Sequence, residues 1–438
     1  MLEKAFSKVL GTTPGVAAGN IILVANAFLW YFYAFNVLKQ VITTDPLVIW
    51  GVNFLAIAIS AILGSVLVNR LGNRDRFLLS WIAAGVFLSA MPLALDLNGN
   101  VGVLTMAATF GAYFGFGMPI CMGYFASSTN WGNRSRLGGA TFFCIGLGTF
   151  LLGGIGATDI LTSVSILAGL RAFGFFSFLP LRGKNGQVKK ESKVSFRNII
   201  TNRPFLLYFV PWLMFALVNS MVFPVISEFF GAEFALSSSI IESVLIGVFA
   251  VIGGFVADFF GRKRLAMAGF AMLGLGYAIL GLFGTNVAGW YFYTFVDGIA
   301  WGAFYTVFLI TLWGDLAQEG ASEKYYAIGA LPYLLSNFVR LWLSPLAAEI
   351  PKYAVFSFTS LFLFLAVLPL AYAPETLPEK TMKERDLKNY IEKAQKEVAK
   401  AQKREEGEKE EEDEESDVEF EVAQEDAEEA ETLAEKYY

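Results

Sequence analysis

The sequence has no histidine and only two cysteines, Cys121 and Cys144, in 438 residues. Without histidine the chain lacks the side chain that most often acts as general base near neutral pH and as metal ligand. The two cysteines lie in separate apolar runs, with no spacing that frames a metal site or a disulfide scaffold. Charge is scarce as well: Asp, Glu, Lys and Arg make up 16% of the chain against 55% apolar residues, a balance that a soluble domain of this size does not carry. No Gly-x-Ser-x-Gly elbow and no phosphate-binding loop occurs, so the common hydrolase and nucleotide chemistries have no carrier. These absences describe a protein that is no enzyme, needs no metal or cofactor and binds no nucleic acid.

The charge that is present is unevenly placed. Pro374 to Tyr438 holds 11 Lys or Arg against 24 Asp or Glu, whereas Met1 to Ala373 holds 22 against 15. The acidity therefore belongs to a tail, and the body is basic. A helix needs about 20 apolar residues to cross the hydrocarbon core of a bilayer, and twelve such runs can be marked. The first six are Ala17 to Leu38, Pro46 to Val68, Phe77 to Leu95, Val101 to Met122, Gly139 to Ala157 and Ile160 to Leu181. The second six are Pro204 to Phe229, Ala235 to Ala257, Leu265 to Gly284, Val287 to Trp313, Tyr326 to Leu346 and Ala354 to Ala373. The first run continues past signal-peptide length, so no cleavable leader is expected.

Loops after the even-numbered spans carry sixteen Lys or Arg, while the other face has Lys39 and Lys352. By the positive-inside rule these loops and both termini are cytoplasmic, in a multi-pass protein of the cell membrane. Residues 182–203 contain seven Lys or Arg and separate a first six-helix bundle, 1–181, from a second, 204–373. The expected fold is all-α, with twelve transmembrane helices in two pseudo-symmetric bundles, followed by a cytoplasmic tail, 374–438. In that tail Leu387, Tyr390, Ile391, Ala394, Val398 and Ala401 recur at helical spacing, and the acidic run beyond Arg404 reads as disordered.

The halves echo each other. The stretch from Gly64 through Asn69, Arg70 and Gly72 to Arg74 parallels that from Gly253 through Asp258 and Gly261 to Lys263, and Gly72 and Gly261 are 189 residues apart. Gly115 and Gly302, each in a Gly-aromatic setting, are 187 apart. Such a period marks two copies of one unit.

On these residues the chain resembles the major facilitator superfamily, from Ala17 to Ala373. The loop signature Gly-x-x-x-Asp-x-x-Gly-Arg-Lys is met by Gly254, Asp258, Gly261, Arg262 and Lys263. The resemblance implies that this loop, with Gly64, Asn69, Arg70, Gly72 and Arg74 as its first-half copy, closes an inner gate. It also implies alternating access of a small solute around a site lined by spans 1, 4, 7 and 10. Gly111 stands where proton-coupled members often carry Arg, and span 5 lacks the Gly-Pro-x-x-Gly-Gly of many antiporters. Pro374-Glu-Thr-Leu is similar to the ending of sugar porters.

A charge near the bilayer midplane costs roughly 3 kcal/mol on insertion scales, so each invites a functional role. Four qualify: Arg171, Glu242, Asp297 and Arg340. Counted from the span ends at about 1.5 Å per residue, the last three share one outer-half layer, which pairs Arg340 with Asp297 or Glu242. Polar and aromatic residues at helical spacing add candidate walls. They are Asn26, Trp30, Tyr33 and Asn36 in span 1, Thr109 and Tyr113 in span 4, and Tyr208, Trp212 and Asn219 in span 7. Thr294, Trp301 and Tyr305 follow in span 10, with Tyr333 and Asn337 in span 11. The expected activity is monomeric, proton-coupled uptake of a small solute. The competing readings are a uniporter or antiporter exporting organic solutes, and a non-transporting sensor signalling through the acidic tail.

Overall fold

The structure is a computed structural model that describes residues 12–42, 45–68, 73–155, 159–179, 194–284, 286–317, 321–334, 336, 338, 339, 342 and 350–377. Side chains are described in these stretches except at 154, 155, 220–237, 239 and 352. Asn69, Arg70, Gly72, Asn337, Arg340, most of the 182–203 linker and the tail from residue 378 lie outside them. Residues up to Leu377 cluster as one compact unit.

The described residues are helical, with no strand among them. The long helices are α1 (Pro14–Val41), α2 (Pro46–Leu67), α3 (Arg74–Ser89), α4 (Asn100–Ser128), α5 (Arg134–Ile155) and α6 (Ile160–Phe178). Then follow α7 (Arg203–Phe260), α8 (Arg262–Phe283), α9 (Val287–Phe304), α10 (Ser322–Gly329) and α11 (Lys352–Tyr372). Beyond α9 a π-helical turn, Tyr305–Thr311, and a short helix, Leu312–Leu316, carry the chain onward, so Val287–Leu316 forms a single apolar span.

Nine helical stretches among the described residues are long and apolar enough to cross a membrane, against the twelve expected from hydropathy. The differences are local. Pro92 opens a 3-10 turn over Met91–Ala94 that ends span 3 early, and much of span 11 lies outside the described residues. Spans 7 and 8 run on as one helical stretch, α7. That stretch doubles back on itself, because Tyr208 donates to the Pro374 carbonyl while the backbone N–H of Arg262, just past its other end, reaches Glu375. Fifty-odd helical residues in a straight line would hold those two points about 80 Å apart.

Apolar surface faces outward along α2, where Leu55, Ile59, Ile62 and Val66 share one exposed stripe. In water so large a patch would drive association; against lipid tails it is at no disadvantage. Association in that solvent rests on close packing of small residues. Gly115 of α4 lies on the carbonyl of Ile57 in α2, and Gly302 of α9 lies on the carbonyl of Ile246 in α7. Ile57 and Ile246 are 189 residues apart, so the same seam is built twice. Two further contacts run crosswise between the repeats: α5 lies on α7, with Gly139 against the Ala250 carbonyl, and Phe54 of α2 stacks on Phe338.

A side chain at Gly139 would overlap the Ala250 carbonyl, whereas Gly153 has nothing within 4 Å. Gly139→Val is expected to destabilise the purified protein by about 1–3 kcal/mol through overpacking. Thermal denaturation in detergent should show a melting point lowered by several degrees for Gly139→Val and unchanged for Gly153→Val.

Candidate functional site

The densest polar structure stands at the arginine-rich end of the helices. Asp258, at the end of α7, accepts hydrogen bonds from the backbone N–H groups of Ser135 and Arg136 at 3.2 and 3.1 Å. A carboxylate therefore caps the N-terminus of α5, where the helix dipole favours negative charge. The same carboxylate pairs with the Arg136 and Arg262 guanidinium groups, each at 3.1 Å. Asp315 lies between Arg262, at 3.0 Å, and Arg134. Arg74 meets Glu323 at 2.5 Å. Burial pushes the Glu323 carboxyl above the usual carboxylate range, and Arg74 pulls it part of the way back. Three of these ion pairs join α1–α6 to the later helices: Arg136 with Asp258, Arg134 with Asp315, and Arg74 with Glu323.

Gly261 lets α8 start directly after α7. Its φ of 106° is a conformation that side chains rarely adopt, and a Cβ there would strike the Glu375 carboxylate. Glu375 in turn accepts from the N–H groups of Arg262 and Lys263 at 2.9 and 3.2 Å, capping α8.

The second polar centre is inside the spans. Glu242 of α7 and Asp297 of α9 are close enough for each carboxyl to act on the other, Asp297 Oδ1 is buried without a hydrogen-bond partner, and Tyr293 lies one helical turn before Asp297. Tyr293 and Tyr277 join hydroxyls at 2.9 Å, and Tyr277 donates to Asn219 Oδ1 at 2.8 Å. Beside this centre is an aromatic stack. Trp212 lies flat on Phe308 with ring centroids 4.9 Å apart, Trp301 meets Tyr305 edge-on at 4.9 Å, and the Tyr305 and Tyr333 hydroxyls are 3.2 Å apart.

A third buried charge, Arg171, has a different setting. Its guanidinium lies 5.0, 4.5 and 5.1 Å from the rings of Trp30, Trp81 and Tyr113, and it donates to Asn26 Oδ1 at 3.1 Å. Three desolvated ring faces supply much of what a carboxylate would.

A cavity between α1, α2, α4, the π-helical turn and the residues around α10 is walled by Phe28, Phe114, Met118, Leu309, Tyr326 and Tyr333, among others. It is almost wholly apolar, with the tyrosine hydroxyls as its few polar groups.

Residues 185–427, more than half of the chain, match the family model described as sugar (and other) transporter. The chain is a major facilitator superfamily transporter. Its fold is similar to that of the Escherichia coli fucose:proton symporter, with a TM-score of 0.65 at 11% identity over 82% of this chain and 98% of that one. It is also similar to a human organic anion transporter, with a TM-score of 0.57 at 13% identity over 82% and 100% of the two chains. A proton:xylose symporter gives a TM-score of 0.57 at 18% identity over 82% and 95%. At these identities the likeness is one of fold. No curated protein matches the sequence.

In this transporter the second-half candidates converge: Asn219 is bonded to Tyr277, which with Tyr293 lies beside the Glu242 and Asp297 carboxyls, and Trp212, Trp301, Tyr305 and Tyr333 form one stack. The first-half stripe does not reach the cavity. Asn26 donates to the Leu170 carbonyl and Trp30 to Ser89, while the Tyr113 hydroxyl donates to the Trp81 carbonyl. Buried Arg171 draws the polar face of α1 toward α3, α4 and α6, leaving Phe28 on the cavity side. Tyr33 reaches Ser163 of α6, Asn36 is exposed and Thr109 half-buried. Thr294 bonds back to the Trp290 carbonyl, and Tyr208 sits at the arginine-rich end. The pairing expected for Arg340 lies outside the described residues. Asp315, Glu323 and Glu375 were not among the candidates; the available signal was the arginines of the other loops, Arg74, Arg134, Arg136 and Arg262, which need acids to meet them.

Asp315 is fully buried between two arginines. Removing one partner of such a group typically costs about 3–5 kcal/mol. Asp315→Asn is accordingly expected to lower the melting point by several degrees in a thermal-denaturation measurement; an unchanged melt would show that Arg134 and Arg262 do not depend on it.

Proposed function

We propose that this protein is a proton-coupled secondary transporter that takes up a small solute by alternating access, with Glu242 and Asp297 as its proton site. The observation that carries this reading is the closeness of two carboxyl groups inside the membrane-spanning helices, near enough for each to act on the other's charge. Two carboxylates close together in a low-dielectric interior repel each other, and a proton on one of them relieves the pair. Packing does not demand acids at this place. Asn53, 189 residues before Glu242, occupies the matching seam of the first repeat and donates to the Ala107 carbonyl at 2.8 Å. A neutral amide serves there, and the acid pair is an addition to the fold.

A pair that can be neutralised suits a carrier. Two ionised carboxyls in hydrocarbon would be costly, whereas the protonated pair can pass through a closed, water-free state. The three ion pairs at the arginine-rich end hold that end shut, so solute and protons enter from the opposite side. By the positive-inside rule the closed end is cytoplasmic in a cell-membrane protein. Opening it requires those pairs to part as the bundles rock. The apolar cavity and the Trp301, Tyr305 and Tyr333 cluster form a wall against which the apolar face of a solute can lie. The fucose and xylose symporters of similar fold couple their solutes to protons, which fits the same cycle.

Asp297→Asn supplies the test. In proteoliposomes, a panel of solutes beginning with fucose and xylose identifies one that the unaltered protein accumulates under an inward pH gradient. The substitution is expected to cut that accumulation at least tenfold while leaving exchange of labelled for unlabelled solute intact. Accumulation at the original level would remove Asp297 from the proton site.

A further inference from the structure

The cavity between α1, α2, α4, the π-helical turn and the residues around α10 has walls whose polar side chains are already engaged. Among its described lining residues none is charged. The Tyr326 hydroxyl donates to the Ile310 carbonyl, and the Tyr333 hydroxyl is bonded to that of Tyr305. One backbone group stands apart. Gly115 lines the cavity and has no side chain, so what it presents there is backbone. A regular α-helix would close the Gly115 carbonyl with the N–H of the residue four places on, but that residue is Pro119, inside α4 and on the same wall. Proline has no N–H to give, and its ring crowds the carbonyl one turn earlier.

The second repeat shows that the fold does not demand this. The 187-residue spacing that relates Gly115 to Gly302 also relates Pro119 to Thr306. There the Tyr305 N–H and the Thr306 hydroxyl both donate to the Gly302 carbonyl, the hydroxyl at 2.9 Å. One repeat seals the carbonyl, and the other withholds its α-helical donor where the wall meets the cavity. Resting on the transporter reading above, we propose that this cavity is the solute site and that its solute is an uncharged, largely apolar molecule bearing a single hydrogen-bond donor, which it gives to the Gly115 carbonyl. The rings of Phe28 and Phe114, edge to face at 6.3 Å, take the apolar body together with Met118 and Leu309. A free sugar does not suit this chemistry. One of its several hydroxyls finds an acceptor, and each of the others, buried without a partner, weakens binding roughly tenfold.

Equilibrium dialysis of the full chain in lipid nanodiscs, read against empty nanodiscs, measures the binding of para-ethylphenol and of its donor-free isostere para-fluoroethylbenzene. Pro119→Ala restores the missing N–H and closes the Gly115 carbonyl. It is expected to lower the affinity ratio of phenol to isostere about fivefold, the weight of one neutral hydrogen bond. Taking the ratio in both proteins cancels the difference in lipid partition between the two compounds. Ala330→Phe, which places a ring in the cavity, is expected to abolish the binding of both, and it decides the matter if Pro119→Ala does not fold. Fucose and xylose are expected to leave bound para-ethylphenol in place. A ratio unchanged in Pro119→Ala, phenol binding that survives Ala330→Phe or does not exceed that of empty nanodiscs, or displacement by either sugar overturns the proposal. Proton coupling is decided separately. If Asp297→Asn leaves pH-driven accumulation intact while the phenol behaves as expected, the proton site falls and the solute class stands; if the phenol fails while Asp297→Asn abolishes accumulation of another solute, only the solute class falls.

Discussion

The cost of holding charge in a low-dielectric interior organises this molecule. Each buried ionic group is relieved in a different way, and the difference marks what the group does. Asp258, Asp315 and Glu323 face arginines. Arg171 faces three aromatic rings and an amide. Glu242 and Asp297 face each other. A carboxylate beside a guanidinium is relieved at any ordinary pH, and a guanidinium among rings keeps its charge. A carboxyl beside a carboxyl is relieved by a proton, so among the described residues this pair is the one whose charge would depend on proton supply.

The internal repeat explains why the ion-pair cluster is made twice with its signs exchanged. The 189-residue period maps Asn69 onto Asp258 and Arg134 onto Glu323. On one side an acid at the loop after α7 receives the start of α5, with its arginines. On the other, Arg74 of the equivalent loop receives Glu323 at the start of α10. A motif degraded in one repeat keeps its place because its partner has changed sign as well. Glu375 shows the same economy: four backbone N–H groups, from Arg262, Lys263, Thr376 and Leu377, converge on one carboxylate and tie the end of the last span to the start of α8.

How much of this was legible in the sequence depends on the range of the interaction. Hydropathy and loop charge are local sums, and they gave most span positions and the Asp258 loop. The partners of that loop were not legible, since Arg134 and Asp315 are 181 residues apart and nothing local in either names the other. Helical periodicity showed that α1 carries a polar face but not which way it points. A helix inside a bundle has several buried sides, and the one bearing Asn26 and Trp30 was claimed by Arg171 on α6. The stripes of α7 and α9 were better guides because the acids they carry have no counterpart in the first repeat.

In the proposed cycle the two centres must also communicate, and one stretch of chain joins them. Val287–Leu316 carries Asp297 at one level and Asp315 at the other. Between them the helix widens to π geometry over Tyr305–Thr311. A π-turn leaves backbone groups imperfectly paired and is readily displaced along the helix. Here Thr311 donates to the Thr306 carbonyl at 2.7 Å, and Thr306 donates to the Gly302 and Ala250 carbonyls at 2.9 and 3.1 Å. Tyr305, in the same turn, stacks on Phe142 of α5 at 4.7 Å, the helix whose first residues grip Asp258 and Asp315. A shift in this turn driven by the charge of the acid pair would move Asp315 against Arg134 and Tyr305 against α5 together. The π-helical turn therefore lies between the acid pair proposed as the proton site and the ion pairs proposed to close the gate.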